Sequence, residues 1–267
     1  MRLLSIATVV ALTSTLAFSF DFGSFVNTTL ETATKPTKEA PITKESLSES
    51  TIIKGLKEAL QVGVNYGVKE LSKENGYLNN SSVKIPLPEN LAKAETLIRK
   101  AGGDKMADEL ILSMNKAATQ AAPKTADIFM KSIKDMSMAD AQKILDGDKD
   151  SATNYFKNSS TSELKKMIAP IVQQTMKDCD VATYYKTFNT YYKEYGKGIV
   201  DNSSVMGMAK SFGVDSYLPS TSDENLDEYV TQKAIDGLFK MIATKEGEIR
   251  ANPIAQTSSL LKQVFGN

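Results

Sequence analysis

The stretch that decides the fold is Ile52-Ile53-Lys54-Gly55-Leu56-Lys57-Glu58-Ala59-Leu60-Gln61-Val62-Gly63-Val64-Asn65-Tyr66-Gly67, continuing to Leu71. Ile52, Ile53, Leu56, Ala59, Leu60, Gly63, Val64, Gly67 and Leu71 recur three and four apart, which is one face of a long helix. Within that face Gly55, Ala59, Gly63 and Gly67 make a stripe of small residues at every fourth position. A glycine inside a helix costs about 1 kcal/mol against alanine, so the stripe predicts close approach of another body. Two occupants fit: a second helix of the same domain, or a partner or apolar ligand seated along Gly63 and Gly67.

Outward from this helix the same period returns. Asn75-Gly76 stops it, and Tyr77 to Asn90 reads as a loop whose Ile85-Pro86-Leu87-Pro88 is extended, with a short edge strand as the alternative. Pro88 and Glu89 suit the first turn of a helix that ends at Gly102-Gly103. Asp104 to Ala122 carries Met106, Leu110, Met114, Ala117, Ala118 and Ala121 on one side, and Pro123 is expected to begin a separate helix. Ser137 and Asp140 form a loose capping box. Asp150 is expected to cap a short helix through Phe156, and Thr161 or Ser162 to cap the next, kinked by Pro170. Val181 to Tyr195 gathers Tyr184, Tyr185, Phe188, Tyr191, Tyr192 and Tyr195. Residues 196–223 form the longest irregular stretch, with a short helix expected around Val205 to Phe212. Asn225 to Arg250 is a long helix, and Asn252-Pro253 opens the last one. No sustained β alternation interrupts the series. The expectation is an all-α protein, a single bundle-like domain of roughly nine or ten helices over 48–267.

The composition removes whole classes of chemistry. The chain has no histidine, so Ser-His and Cys-His nucleophiles, imidazole bases and imidazole metal sites are all excluded. The 32 basic and 32 acidic residues balance, which gives no general attraction to nucleic acid. Cys179 is the sole cysteine, so no internal disulfide forms. Asp178 and Asp180 flank its thiol and should disfavour the thiolate. Gly-x-Ser-x-Gly and phosphate-loop patterns are absent, and the four Ser-x-x-Lys occurrences have no Lys-Thr-Gly to accompany them. No catalytic residue and no cofactor is assigned.

Two groups of side chains remain as candidate sites. Asp146, Asp148 and Asp150 match the first, third and fifth positions of a calcium loop. Ser151 then stands where the turn needs glycine, and Lys157 where a bidentate Glu is needed. The alternatives are a weaker cation site or a turn rich in capping aspartates. Tyr184, Tyr185, Phe188, Tyr191 and Tyr192 form either the edge of a core or the aromatic wall of a ligand groove. With Gly63 and Gly67 they make the candidate ligand-binding set, a groove between the glycine stripe and the tyrosine helix. Glu246 with Arg250, and Asp236 with Lys240, share helical faces and are expected to be solvated pairs of small worth.

At the amino terminus Arg2 precedes an apolar run from Leu3 to Leu16, followed by Ala17-Phe18-Ser19. This is the pattern of an export signal, residues 1–19, cleaved near Ser19. The apolar core is short for a membrane span, and no later segment reaches the required length. Residues 20–47, rich in Thr, Lys, Glu and Pro, read as a flexible leader. The expected location is the periplasm, with no transmembrane segment in the mature chain.

Several ordered segments carry a resemblance. They are Gly55-Leu56-Lys57-Glu58-Ala59-Leu60, Lys84-Ile85-Pro86-Leu87-Pro88, Ser113-Met114-Asn115-Lys116-Ala117-Ala118, and Asp140-Ala141-Gln142-Lys143-Ile144-Leu145-Asp146-Gly147. Ala152-Thr153-Asn154-Tyr155-Phe156, Tyr229 to Phe239, Ile249-Arg250-Ala251-Asn252-Pro253 and Leu260 to Phe265 follow. Together they resemble the bacterial domain-of-unknown-function family numbered 4197. Thr119 departs from it, standing where an acidic residue is expected. The resemblance implies an exported, mostly helical protein and assigns no activity. The functional expectation is a non-enzymatic binding module for an envelope protein or an apolar small molecule. A carboxylate-based enzyme with a divalent cation near Asp146–Asp150 and a structural envelope component are the alternatives.

Overall fold

The computed structural model describes residues 47–139, 141–196 and 225–266. Eight α-helices lie within them: α1 (Glu49–Leu71), α2 (Glu89–Lys100), α3 (Asp104–Asp135), α4 (Ala141–Leu145), α5 (Ser151–Asp178), α6 (Val181–Tyr191), α7 (Leu226–Ala251) and α8 (Ser259–Phe265). A π-helical turn, Tyr192–Gly196, extends α6, and a 3-10 turn, Pro253–Ala255, separates α7 from α8. No strand occurs among the described residues, as the all-α reading expected. The signal and leader, residues 1–46, and the helix expected around Val205 to Phe212 lie outside the described residues.

The four long helices carry the architecture. Helix α1 packs on α3 and α7, and α5 packs on the same two, so α1, α3, α5 and α7 stand in a ring around one core. Its centre is aromatic. Phe129 of α3, Phe156 of α5 and Phe239 of α7 meet edge to face, with ring centroids 5.4 to 6.2 Å apart. Helix α6 lies against α3, and α8 closes one end of α1.

Two breaks expected from the sequence do not occur. Helix α3 runs 32 residues straight through Pro123. A proline inside a helix costs about 3 kcal/mol, but Ala117, Ala118, Ala121, Ala122, Phe129 and Ile133 on both sides of it are buried. Continuing the helix keeps both halves of that face in the core. Helix α5 runs 28 residues through Thr161 and Ser162 and past Pro170. Thr161 and Ser162 lie inside the helix and do not cap its start. The Thr161 hydroxyl donates back to the Lys157 carbonyl four residues earlier, as that of Ser160 does to Phe156.

The loop between α1 and α2 is held by side chains. Tyr77 is fully buried, and its hydroxyl donates to the Ala234 carbonyl at 2.8 Å. Burial pushes that phenol well above its ordinary pKa. Gly237 makes room for the ring, since a Cβ there would stand 2.7 Å from Tyr77 Cε1. The Tyr77 backbone N–H donates to Thr119 Oγ1 at 3.4 Å, which gives the hydroxyl at that position a local role. Further on, Ile85 and Leu87 point into the core while Pro86 stays exposed. Asn115 grips that extended strip. Its Oδ1 accepts from Ile85 N at 2.9 Å, and its Nδ2 donates to the Ile85 and Ile111 carbonyls at 2.8 Å. Tyr229 Oη donates to the Pro86 carbonyl. A side-chain amide thus does for Ile85 what a neighbouring strand would do, and no sheet forms around it.

Candidate functional site

The glycine stripe is occupied from within the domain. A Cβ at Gly55 would fall 2.5 Å from Val264 Cγ2 of α8. At Gly63 it would fall 2.9 Å from Ile242 Cγ2, and at Gly67 3.1 Å from Met241 Cβ, both on α7. Of the two occupants the stripe allowed, the intramolecular helix is the one present. Gly63 and Gly67 are buried contacts of the bundle.

The tyrosine helix lies elsewhere, on α3, so the structure does not bring the two halves of the expected groove together. Phe188 is fully buried and Tyr192 nearly so, and burial raises the Tyr192 phenol above its usual pKa. Tyr191 Oη donates to the Ala101 carbonyl at 2.8 Å, tying α6 to the end of α2. Tyr184 and Tyr185 are half-buried. The side chain of Tyr195 lies outside the described ones.

Asp146, Asp148 and Asp150 follow one another around an exposed turn. The Asp146 carboxylate accepts from Gln142 Nε2 at 2.9 Å. The Asp148 carbonyl accepts from Ser151 Oγ. Asp150 stands at the α5 N-cap without a side-chain capping bond. Among the described residues no group of three His, Cys, Asp or Glu comes together to hold a metal ion. Lys157, which occupies the position of the missing bidentate Glu, reaches across to Asp236 of α7 at 2.8 Å. Asp236 is therefore bridged between helices by Lys157.

The α5 cap comes from a distance. Glu246 of α7 is fully buried, and its carboxylate accepts from Ala152 N at 3.0 Å, Thr153 N at 2.7 Å and Thr153 Oγ1 at 2.6 Å. Arg250 Nε donates to the same carboxylate at 2.9 Å. The guanidinium then donates to the Leu145 and Ile144 carbonyls that end α4, at 2.8 and 2.9 Å, and lies over the Phe265 ring. The expected solvated pair is in fact the buried junction of α4, α5, α7 and α8. Its negative charge meets the positive end of α5, and its positive charge meets the negative end of α4. The i, i+4 spacing showed the pair, but only the packing of Ser151–Asp178 against α7 shows that water is excluded from it.

One cleft opens near the tyrosine helix. Its volume is about 140 Å³, and Glu109, Leu112, Lys116, Cys179, Asp180 and Tyr184 contribute to its walls. Leu112 is 42% exposed. It belongs to α3 but falls outside the apolar face of Met106, Leu110 and Met114, and that misplacement is the one sign of it in the sequence. Cys179 is buried, with Sγ 3.5 Å from Gln120 Oε1. Its thiol is raised first by burial; Lys116 opposes this, and Asp178 and Asp180 add to it. Between α5 and α6, Asp180 takes a left-handed backbone (φ 53°), which turns the chain and presents Tyr184 to the cleft. The arrangement offers an apolar edge, a phenol ring and mixed charges, with no activated nucleophile.

Comparison with curated proteins finds no match, and neither does comparison with solved structures. The model of a family described as "Protein of unknown function (DUF4197)" matches residues 46–266, from just before α1 to the end of α8, and the chain belongs to that family.

Proposed function

We propose that this chain is an exported, non-catalytic helical protein that binds a protein partner through the face where α3 meets the α5–α6 corner. The observation that carries the reading is Leu112, a large apolar side chain left 42% exposed beside the half-buried ring of Tyr184. A lone exposed leucine is ordinary on a protein surface; Leu112 carries weight because it lines the same cleft as Lys116 and Tyr184. The cleft favours a protein over a small apolar ligand. Sites that enclose small molecules run to roughly 300–1,000 Å³, and about 140 Å³ is room for one inserted side chain. The export part of the reading rests on Arg2, the apolar run Leu3 to Leu16, and Ala17-Phe18-Ser19.

A photoreactive residue at Lys116, inside the cleft, tests the binding face in cells that make the protein. A discrete adduct is expected there, with none from the same residue at Glu248 on α7. Leu112→Glu should abolish the adduct at position 116. An adduct that survives that substitution, or none at all, overturns the reading. Amino-terminal sequencing of the protein from the periplasmic fraction tests export, with a first residue near Phe20 expected.

A further inference from the structure

We draw no further inference here: the strongest candidate, the mixed-charge cleft between α3 and the α5–α6 corner around Leu112 and Cys179, belongs to the site already described, and nothing in the structure shows what covers it.

Discussion

The Glu246 carboxylate, fully buried, and the Arg250 guanidinium, whose side chain is 11% exposed, stand one helical turn apart on α7 and meet at 2.9 Å. Each spends its remaining bonding capacity on the end of a different helix. Breaking a buried pair by deleting one partner costs about 3–5 kcal/mol, because the other charge is left uncompensated. Glu246→Ala should therefore lower stability by about that much, measured by denaturant unfolding. Arg250→Lys should not restore wild-type stability, since one ammonium cannot reach Glu246 and the Ile144 and Leu145 carbonyls in the same planar geometry. An Arg250→Lys protein as stable as wild type would show that the carbonyl contacts contribute nothing.

Gly63, in the α1–α7 contact, and Gly247, which faces Lys149 in the turn before α5, should respond to alanine with opposite signs. Gly63→Ala places a methyl 2.9 Å from Ile242 Cγ2 and 3.2 Å from its Cα. The backbone cannot yield cheaply there, so a loss of about 1–3 kcal/mol is expected from overpacking. Gly247→Ala meets nothing closer than 3.7 Å and should gain up to about 1 kcal/mol from helix propensity. Thermal melts of the two variants give the comparison directly.

Asn115 fills the place of a missing strand, and its replacement should be costly in a way that depends on pH. Asn115→Leu leaves the Ile85 N–H and C=O without the partners they have now, at about 1–3 kcal/mol for each buried group. Asn115→Asp can still accept from Ile85 N, but once ionised it cannot donate to either carbonyl. Its stability deficit should thus be larger at pH 7 than at pH 4, where a protonated carboxyl can donate one bond. Equal deficits at the two values would mean that the amide donor bonds are not the ones that matter.

Cys179 should behave as a slow thiol. Burial raises its pKa, so the folded protein holds less thiolate than a free cysteine does at the same pH. Reaction with an aromatic disulfide at pH 8 should be slow in buffer and rise to the ordinary rate in denaturant. The linkage sign follows from the same shift. The folded pKa lies above the unfolded one, so the contribution to stability is complete below about pH 8.5 and is lost as pH rises through the folded pKa. A Cys179→Ala variant should lack that component of the alkaline decline in stability.

The aspartate turn before α5 should ignore divalent cations. Asp148→Ala should leave the melting temperature within about 2 °C of wild type, because an exposed turn residue outside any network contributes little. Millimolar Ca²⁺ should not raise the melting temperature of the wild-type protein. A rise that Asp148→Ala removes would revive the cation site.

Local pattern was enough for much of this protein. The period of Ile52 to Leu71, the punctuation at Asn75-Gly76 and Gly102-Gly103, and the absence of β alternation settled the all-α class, because amphipathic spacing is a property of neighbouring residues alone. The missing imidazole excluded its chemistries on composition. The partner of the glycine stripe, the cap of α5 and the fate of Pro123 were decided only by the tertiary structure. In each case a distant residue outweighed a local preference. Val264, Ile242 and Met241 fill the notches that a ligand could have filled. Glu246 supplies the cap that Asp150 does not. Continuous burial along α3 outweighs a break at its proline. Sequence spacing shows which residues share a face, but which face loses its water depends on contacts between residues far apart in the chain.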